Sequence, residues 1–157
     1  MQPYQAVIGG LIYGYYDKKQ RSERMSKIKG SDTKIENIIR KHLFGMGFRY
    51  RKNDKRLPGK PDIYLPKYRT VIFVNGCFWH CHNCKIGHIP RSNKETWEDK
   101  LNRNKSRDER NYMALKQMGL NVLIVWECEL TNKRWHETLE NLVNAIKEFN
   151  VGTQYGE

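Results

Sequence analysis

Apolar and polar positions follow two rhythms along this chain, and the places where the rhythm changes delimit its elements. Thr33-x-x-Glu36 is a capping-box pattern, Ile35, Ile38, Ile39 and the run His42 to Met46 recur at helical spacing, and Gly47 can supply a left-handed stop. The pattern predicts a helix over 34–45. Phe48 to Lys52 then alternates as a strand, and Arg56-Leu-Pro-Gly-Lys-Pro61 is a rigid turn that neither a helix nor a central strand could contain. Asp62 to Leu65 and Thr70 to Val74 read as two strands of a hairpin around the turn Pro66 to Arg69. Ser92-x-x-Glu95 repeats the capping-box pattern and opens a long helix expected to reach about Met118, closed by Gly119. Its apolar stripe passes through Trp97, Leu101, Tyr112 and Leu115; Asp108 falls on that same face, where a carboxylate needs a partner. Leu120 to Trp126 is almost continuously apolar, the pattern of a strand covered on both faces. A last helix, roughly Lys133 to Phe149, turns Leu139, Leu142, Val143 and Ile146 inward.

The order helix, three strands, helix, strand, helix argues an α/β fold, a small mixed β-sheet flanked by helices on both faces. At 157 residues one domain is expected, burying roughly two-thirds of its unfolded surface without covalent staples. We place an N-terminal arm without usable period at 1–16, a single domain at 17–150 and a polar tail at 151–157. Ala6 to Tyr16 is apolar but short, is broken by Gly9, Gly10 and Gly14, and has no basic segment before it. Neither a signal peptide nor a membrane segment is therefore expected, and the reading is of a cytoplasmic monomer.

Charge narrows the partner. Lys+Arg number 29 against 17 Asp+Glu, a formal net charge of +12, and the basic residues spread over Lys18 to Arg24, Arg49 to Lys60 and Lys100 to Arg110. Such a distribution is the footprint of a polyanion binder, because each phosphate neutralised by Lys or Arg releases counterions. Nucleic acid is the expected partner, near the nucleoid.

The chemistry gathers in Thr70 to Cys84, TVIFVNGCFWHCHNC. A buried strand ending in a loop of Cys, His and aromatic residues delivers reactive groups at the rim of a sheet, where α/β proteins keep their sites. In a reducing compartment the four cysteines, Cys77, Cys81, Cys84 and Cys128, read as metal ligands rather than disulfides. Thiolates with imidazole and no open position describe structural zinc. Two ligand sets compete: four cysteines built on Cys81-x-x-Cys84, or Cys77, His82, Cys84 and Cys128. Asp62 should lie beside Val74 and Asn75, where hard oxygen ligands would suit Mg²⁺ bound to phosphate, although an Asp after Pro is often a turn residue. Glu36 is accounted for by its capping box. His80 could be a general base, a zinc ligand or a surface residue. Phe78 and Trp79 suit a core, and also suit a wedge inserted between base steps.

In order and spacing, Arg21-Ser22-x-x-Met25, the Glu36 helix, Leu57-Pro-Gly-Lys-Pro-Asp62, Val71-Ile-Phe-Val-Asn-Gly-Cys-Phe-Trp-His80, Arg107-Asp108 and Leu123-Ile-Val-Trp-Glu-Cys128 resemble the very-short-patch repair DNA mismatch endonucleases. The resemblance covers about residues 20 to 135. It implies a restriction-endonuclease-like fold of the PD-(D/E)XK type that nicks double-stranded DNA 5′ to the T of a T:G mismatch left by deamination of 5-methylcytosine. It further implies that Asp62 and the Val74 carbonyl hold catalytic Mg²⁺, that His80 is the general base, and that Glu36 and Asp108 orient the catalytic histidines. Cys77, His82, Cys84 and Cys128 would hold one zinc ion, leaving Cys81 free. Phe78, Trp79 and Met25 would wedge the duplex, with Arg21 and Lys60 among the DNA contacts. Where well-known members carry Thr-His, this chain has Val74-Asn75. Val74 still supplies a carbonyl, but Asn75 cannot be protonated to neutralise the leaving oxygen. The departure implies lower turnover, compensation by another basic group such as Lys60, or lost activity. Two other readings follow: a zinc-containing module that binds DNA distortions without cutting, and a sequence-specific nicking or restriction endonuclease of the same fold.

Overall fold

The computed structural model describes residues 7–8, 11–12, 23, 31–91, 93–131, 133 and 135–154. Arg21, Met25 and, Glu23 apart, the basic stretch 17–29 lie outside the described residues. Val7–Ile8 (β1) pairs antiparallel with Leu11–Ile12 (β2). These two apolar pairs flank Gly9-Gly10, a hairpin signal that a reading of 1–16 as an aperiodic arm passed over.

Helix α1 spans Lys34–Gly45 and opens with a closed capping box. Thr33 Oγ1 accepts the Glu36 N–H at 3.2 Å, and Glu36 Oε1 accepts the Thr33 N–H at 3.3 Å. Gly47, at φ 86°, carries the chain out of the helix. A four-stranded sheet follows in the order β3 (Arg51–Lys52), β4 (Ile63–Leu65), β5 (Thr70–Asn75) and β6 (Asn121–Trp126). β3, β4 and β5 run antiparallel, whereas β6 lies parallel to β5 with Val74 opposite Val125 and Asn75 opposite Trp126. The parallel pair requires a crossover, and α2 (Lys94–Gln117) makes it. A short α3 (Glu127–Thr131) and the long α4 (Trp135–Gln154) complete the chain.

Alternation along β5 sorts the helices onto two faces. Ile72 points into a core with Ile39 and Leu43 of α1 and Leu139, Val143 and Ile146 of α4. Val71 and Phe73 point the other way, against Leu115 of α2 and Leu120. Seven of these residues, Ile39, Leu43, Val71, Ile72, Leu115, Leu139 and Ile146, are fully buried, each contributing about 1.5–3 kcal/mol by transfer from water. Among the described residues no helix is long and apolar enough to cross a membrane.

Four expectations need correction. Only Arg51–Lys52 of the 48–52 segment pairs as strand, because Phe48 turns into the core against the Tyr68 ring, 4.9 Å away between centroids. Helix α2 opens without a capping box: its N-cap is Asn93 in the left-handed region at φ 54°, with no side-chain cap, which puts Glu95 one position too early to reach back. β6 is not covered on both faces, since it is the outer strand of the sheet and Ile124 is 36% exposed. Helix α4 runs on to Gln154 through part of the expected tail, where no proline stops it.

Candidate active site and metal centre

The C-terminal end of β5 is where the sheet meets its chemistry. Asp62, just before β4, turns its carboxylate across the hairpin so that Oδ2 accepts the Val74 N–H at 2.7 Å. Burial disfavours the charged form and pushes its pKa up to about 6; the Val74 hydrogen bond opposes this and the nearby Glu36 charge adds to it. A half-buried carboxylate with a second carboxylate nearby is a place for a cation. Glu36, 3% exposed, reaches no histidine. Its oxygens accept from Thr33, from the Asp32 N–H at 2.9 Å and from the buried Arg40 guanidinium. The Glu36 carboxylate is thus held by its helix cap and by Arg40.

Asp108 does meet a histidine. His80, in the loop after β5, places Nδ1 2.5 Å from Asp108 Oδ2, so the carboxylate expected to need a partner on the α2 stripe has one. With Nδ1–H donated to Asp108, Nε2 is left as the acceptor. One turn further along α2, Tyr112 Oη accepts a 2.9 Å hydrogen bond from Asn75 Nδ2. Asn75 is 3% exposed, so it faces inward to α2.

The same loop folds back on α3. Cys77, His82, Cys84 and Cys128 each turn one donor atom inward, and all four atoms lie within 4.8 Å of one another. Parallel pairing of β5 with β6 carries Cys128 to the loop, and among the described residues it is this set that forms a group able to hold a metal ion. Cys81 takes no part; it sits at φ 54° and packs with Phe78 and Leu101. The Cys128 N–H donates to Cys77 Sγ at 3.4 Å, and the His82 ring stacks on Trp126 at 4.2 Å and 8°. Burial pushes the thiols of Cys77 and Cys128 up. At Cys84 burial acts in the same sense but is outweighed by the Ile86 and Gly87 backbone N–H groups, which hold it below the ordinary thiol value. Gly87 is obligatory: a Cβ there would stand 2.0 Å from the His82 carbonyl oxygen.

The family described as DNA mismatch endonuclease Vsr matches residues 14–86. The chain is 51% identical over 134 residues to the type II nicking enzyme V.NmeAIP of Neisseria meningitidis serogroup A, spanning 85% of this chain and 96% of that protein. It is 40% identical over 137 residues to the DNA mismatch endonuclease Vsr of Escherichia coli, spanning 87% of each. The type II nicking enzyme V.XorIIP of Xanthomonas oryzae is 41% identical over 114 residues, 73% of this chain and 84% of that protein. This chain belongs to the Vsr endonuclease family. It is a DNA endonuclease of restriction-endonuclease-like fold.

Other residues expected to serve a Vsr endonuclease lie around this centre. Phe78 is buried against Leu101 and stands edge-on to Trp97 at 5.2 Å, whereas Trp79 is half-exposed. Lys100 Nζ lies 5.2 Å from the Trp79 ring and 5.4 Å from Trp97. Lys60, at φ 51° in the turn before Asp62, is exposed. Two groups escaped the sequence reading, and a third was read only as part of a basic span. Arg40 is buried beside Glu36 at helical i,i+4 spacing, a signal that was present. Tyr112 was assigned only to the apolar stripe. Arg103, Arg107 and Arg110 line one shallow depression along α2, legible as an i,i+4,i+7 series.

Proposed function

We propose that this Vsr-family endonuclease nicks duplex DNA on the 5′ side of the T of a T:G mismatch, the product of 5-methylcytosine deamination, and so initiates very-short-patch repair. The observation that carries the reading is the pairing of His80 with Asp108 at the strand end where Asp62 lies across from Val74. A phosphodiester hydrolase needs a positioned water, a base to take its proton, and a cation near the phosphate.

Asp62, with the Val74 carbonyl, would hold Mg²⁺, which when bound supplies charge neutralisation at the phosphate and polarises the water. His80 takes the proton of that water at Nε2, and Asp108 stabilises the imidazolium that results. Cys77, His82, Cys84 and Cys128 would hold Zn²⁺. At a zinc–sulfur distance of about 2.3 Å a tetrahedral site keeps its ligands about 3.8 Å apart, and donors within 4.8 Å need only a small contraction to reach it. Four protein ligands leave no place for substrate, so this ion is scaffold. Trp79, backed by Phe78 and Lys100, is the wedge against the base stack; Met25, expected to share that role, lies outside the described residues. Lys60, Arg21 and the Arg103, Arg107, Arg110 series meet backbone phosphates.

A second reading, sequence-specific nicking, draws on V.NmeAIP being called a type II nicking enzyme. One substrate panel separates them: duplexes with T:G, T:A or C:G at one position, each in several flanking sequences. Selective Mg²⁺-dependent cutting of the T strand at T:G supports the mismatch reading. Cutting at one flanking sequence regardless of pairing supports the second, and mismatch-selective binding without cutting would leave a distortion-binding module.

A further inference from the structure

In the proposed nicking reaction the bond from phosphorus to the 3′ oxygen breaks, and negative charge grows on that oxygen. His80 serves the opposite side, taking the proton of water. No basic group at position 75 is available to the leaving oxygen, because Asn75 is buried with its amide turned to α2. What the Asn75 amide meets on α2 is a hydroxyl. Tyr112 Oη accepts from Asn75 Nδ2 at 2.9 Å, which fills a lone pair and leaves the O–H proton committed to no hydrogen bond among the described residues. Tyr112 and Asp108 are one turn apart on α2, and the Tyr112 hydroxyl feels the charges of both Asp108 and Asp62. The ring is fixed by edge-on packing against Phe73, 4.9 Å between centroids.

We propose that Tyr112 is a catalytic residue of this endonuclease, its hydroxyl, oriented by Asn75, donating a hydrogen bond to the departing 3′ oxygen of the scissile phosphate. The inference rests on the nicking reading above. Water adds to phosphorus and gives its proton to His80; the phosphorus–oxygen bond breaks with its electron pair on the 3′ oxygen. That oxygen takes the Tyr112 proton along the hydrogen bond, and the phenolate is reprotonated from solvent. Burial, with the Asp108 and Asp62 charges, raises the Tyr112 pKa and keeps the donor in place.

The experiment is single-turnover nicking of two T:G duplexes by zinc-loaded wild type and Tyr112→Phe. One duplex carries the ordinary linkage, the other a bridging 3′ sulfur at the scissile position. Tyr112→Phe keeps the ring and its Phe73 contact and removes only the hydroxyl. On the oxygen linkage we expect a rate about 30-fold lower with unchanged DNA affinity, the size of one lost donor at a developing charge. Sulfur leaves as a stable thiolate and needs no donor, so the two proteins should cut the sulfur linkage at equal rates. Equal rates on oxygen would overturn the assignment, and so would an equal deficit on both linkages, which would mean a structural defect. If the wild type cuts neither T:G duplex, the nicking reading falls and takes this assignment with it.

Discussion

Replacing Asp62 by asparagine should make the protein more stable and inactive together, and the structure fixes the size and pH of the gain. The Asp62 carboxyl is held at about 6 against an ordinary 3.8, first by burial, with the Val74 N–H pulling the other way. At about 1.36 kcal/mol per pH unit, that gap is worth about 3 kcal/mol. The folded chain binds this proton more tightly than the unfolded chain does. The corresponding stability is therefore present below about pH 4 and lost as pH rises through about 6. At pH 8 the metal-free protein carries an ionised, poorly solvated carboxylate. The asparagine side chain would keep the shape and an oxygen acceptor for the Val74 N–H, and cannot ionise. Urea unfolding of zinc-loaded protein in Mg²⁺-free buffer should show the Asp62→Asn advantage growing by about 3 kcal/mol between pH 4 and pH 8. Added Mg²⁺ at pH 8 should recover stability in the wild type alone. An advantage of the same size at both pH values would refute the claim that burial of a charge at Asp62 is what a cation relieves.

Asp108→Asn removes a charge-assisted hydrogen bond of 2.5 Å to His80, worth about 2–3 kcal/mol, so the nicking rate should fall about 30- to 160-fold while DNA affinity holds; an unchanged rate would remove His80–Asp108 from the chemistry. Gly87→Ala drives a methyl group to 2.0 Å from the His82 carbonyl oxygen, and metal analysis should find the bound zinc lost with a steep drop in melting temperature. Cys128→Ser should abolish zinc binding and Cys81→Ser should leave it at one ion per chain; the reverse pattern would restore the four-cysteine site.

Most local signals were legible in the sequence because neighbouring residues generate them, the capping pattern at Ser92 being an exception. The Thr33–Glu36 box, the stop at Gly47 and the hairpin of β4 and β5 all depend on residues a few positions apart. The metal group was legible in kind but open in membership, because Cys128 joins through the parallel pairing of β5 and β6, a long-range contact no spacing encodes. Asp108 was singled out by a rule of the interior, that a carboxylate on a packed face needs a partner, and His80 proved to be that partner. Tyr112 escaped because its ring satisfies the apolar stripe, and nothing in the sequence shows where its hydroxyl ends up. Glu36 was legible through its capping box, whereas its pairing with Arg40 and its proximity to Asp62 come from the fold.

In the proposed function the end of β5 cuts a mismatched strand with Asp62 holding the cation. The most direct measurement is the product of a T:G duplex labelled on both strands and incubated with zinc-loaded protein and Mg²⁺. One nick is expected, in the T strand on the 5′ side of the mismatched T, leaving a 3′ hydroxyl and a 5′ phosphate, and none with Asp62→Ala. Cutting of both strands, equal cutting of the paired duplex, or continued cutting by Asp62→Ala would contradict it.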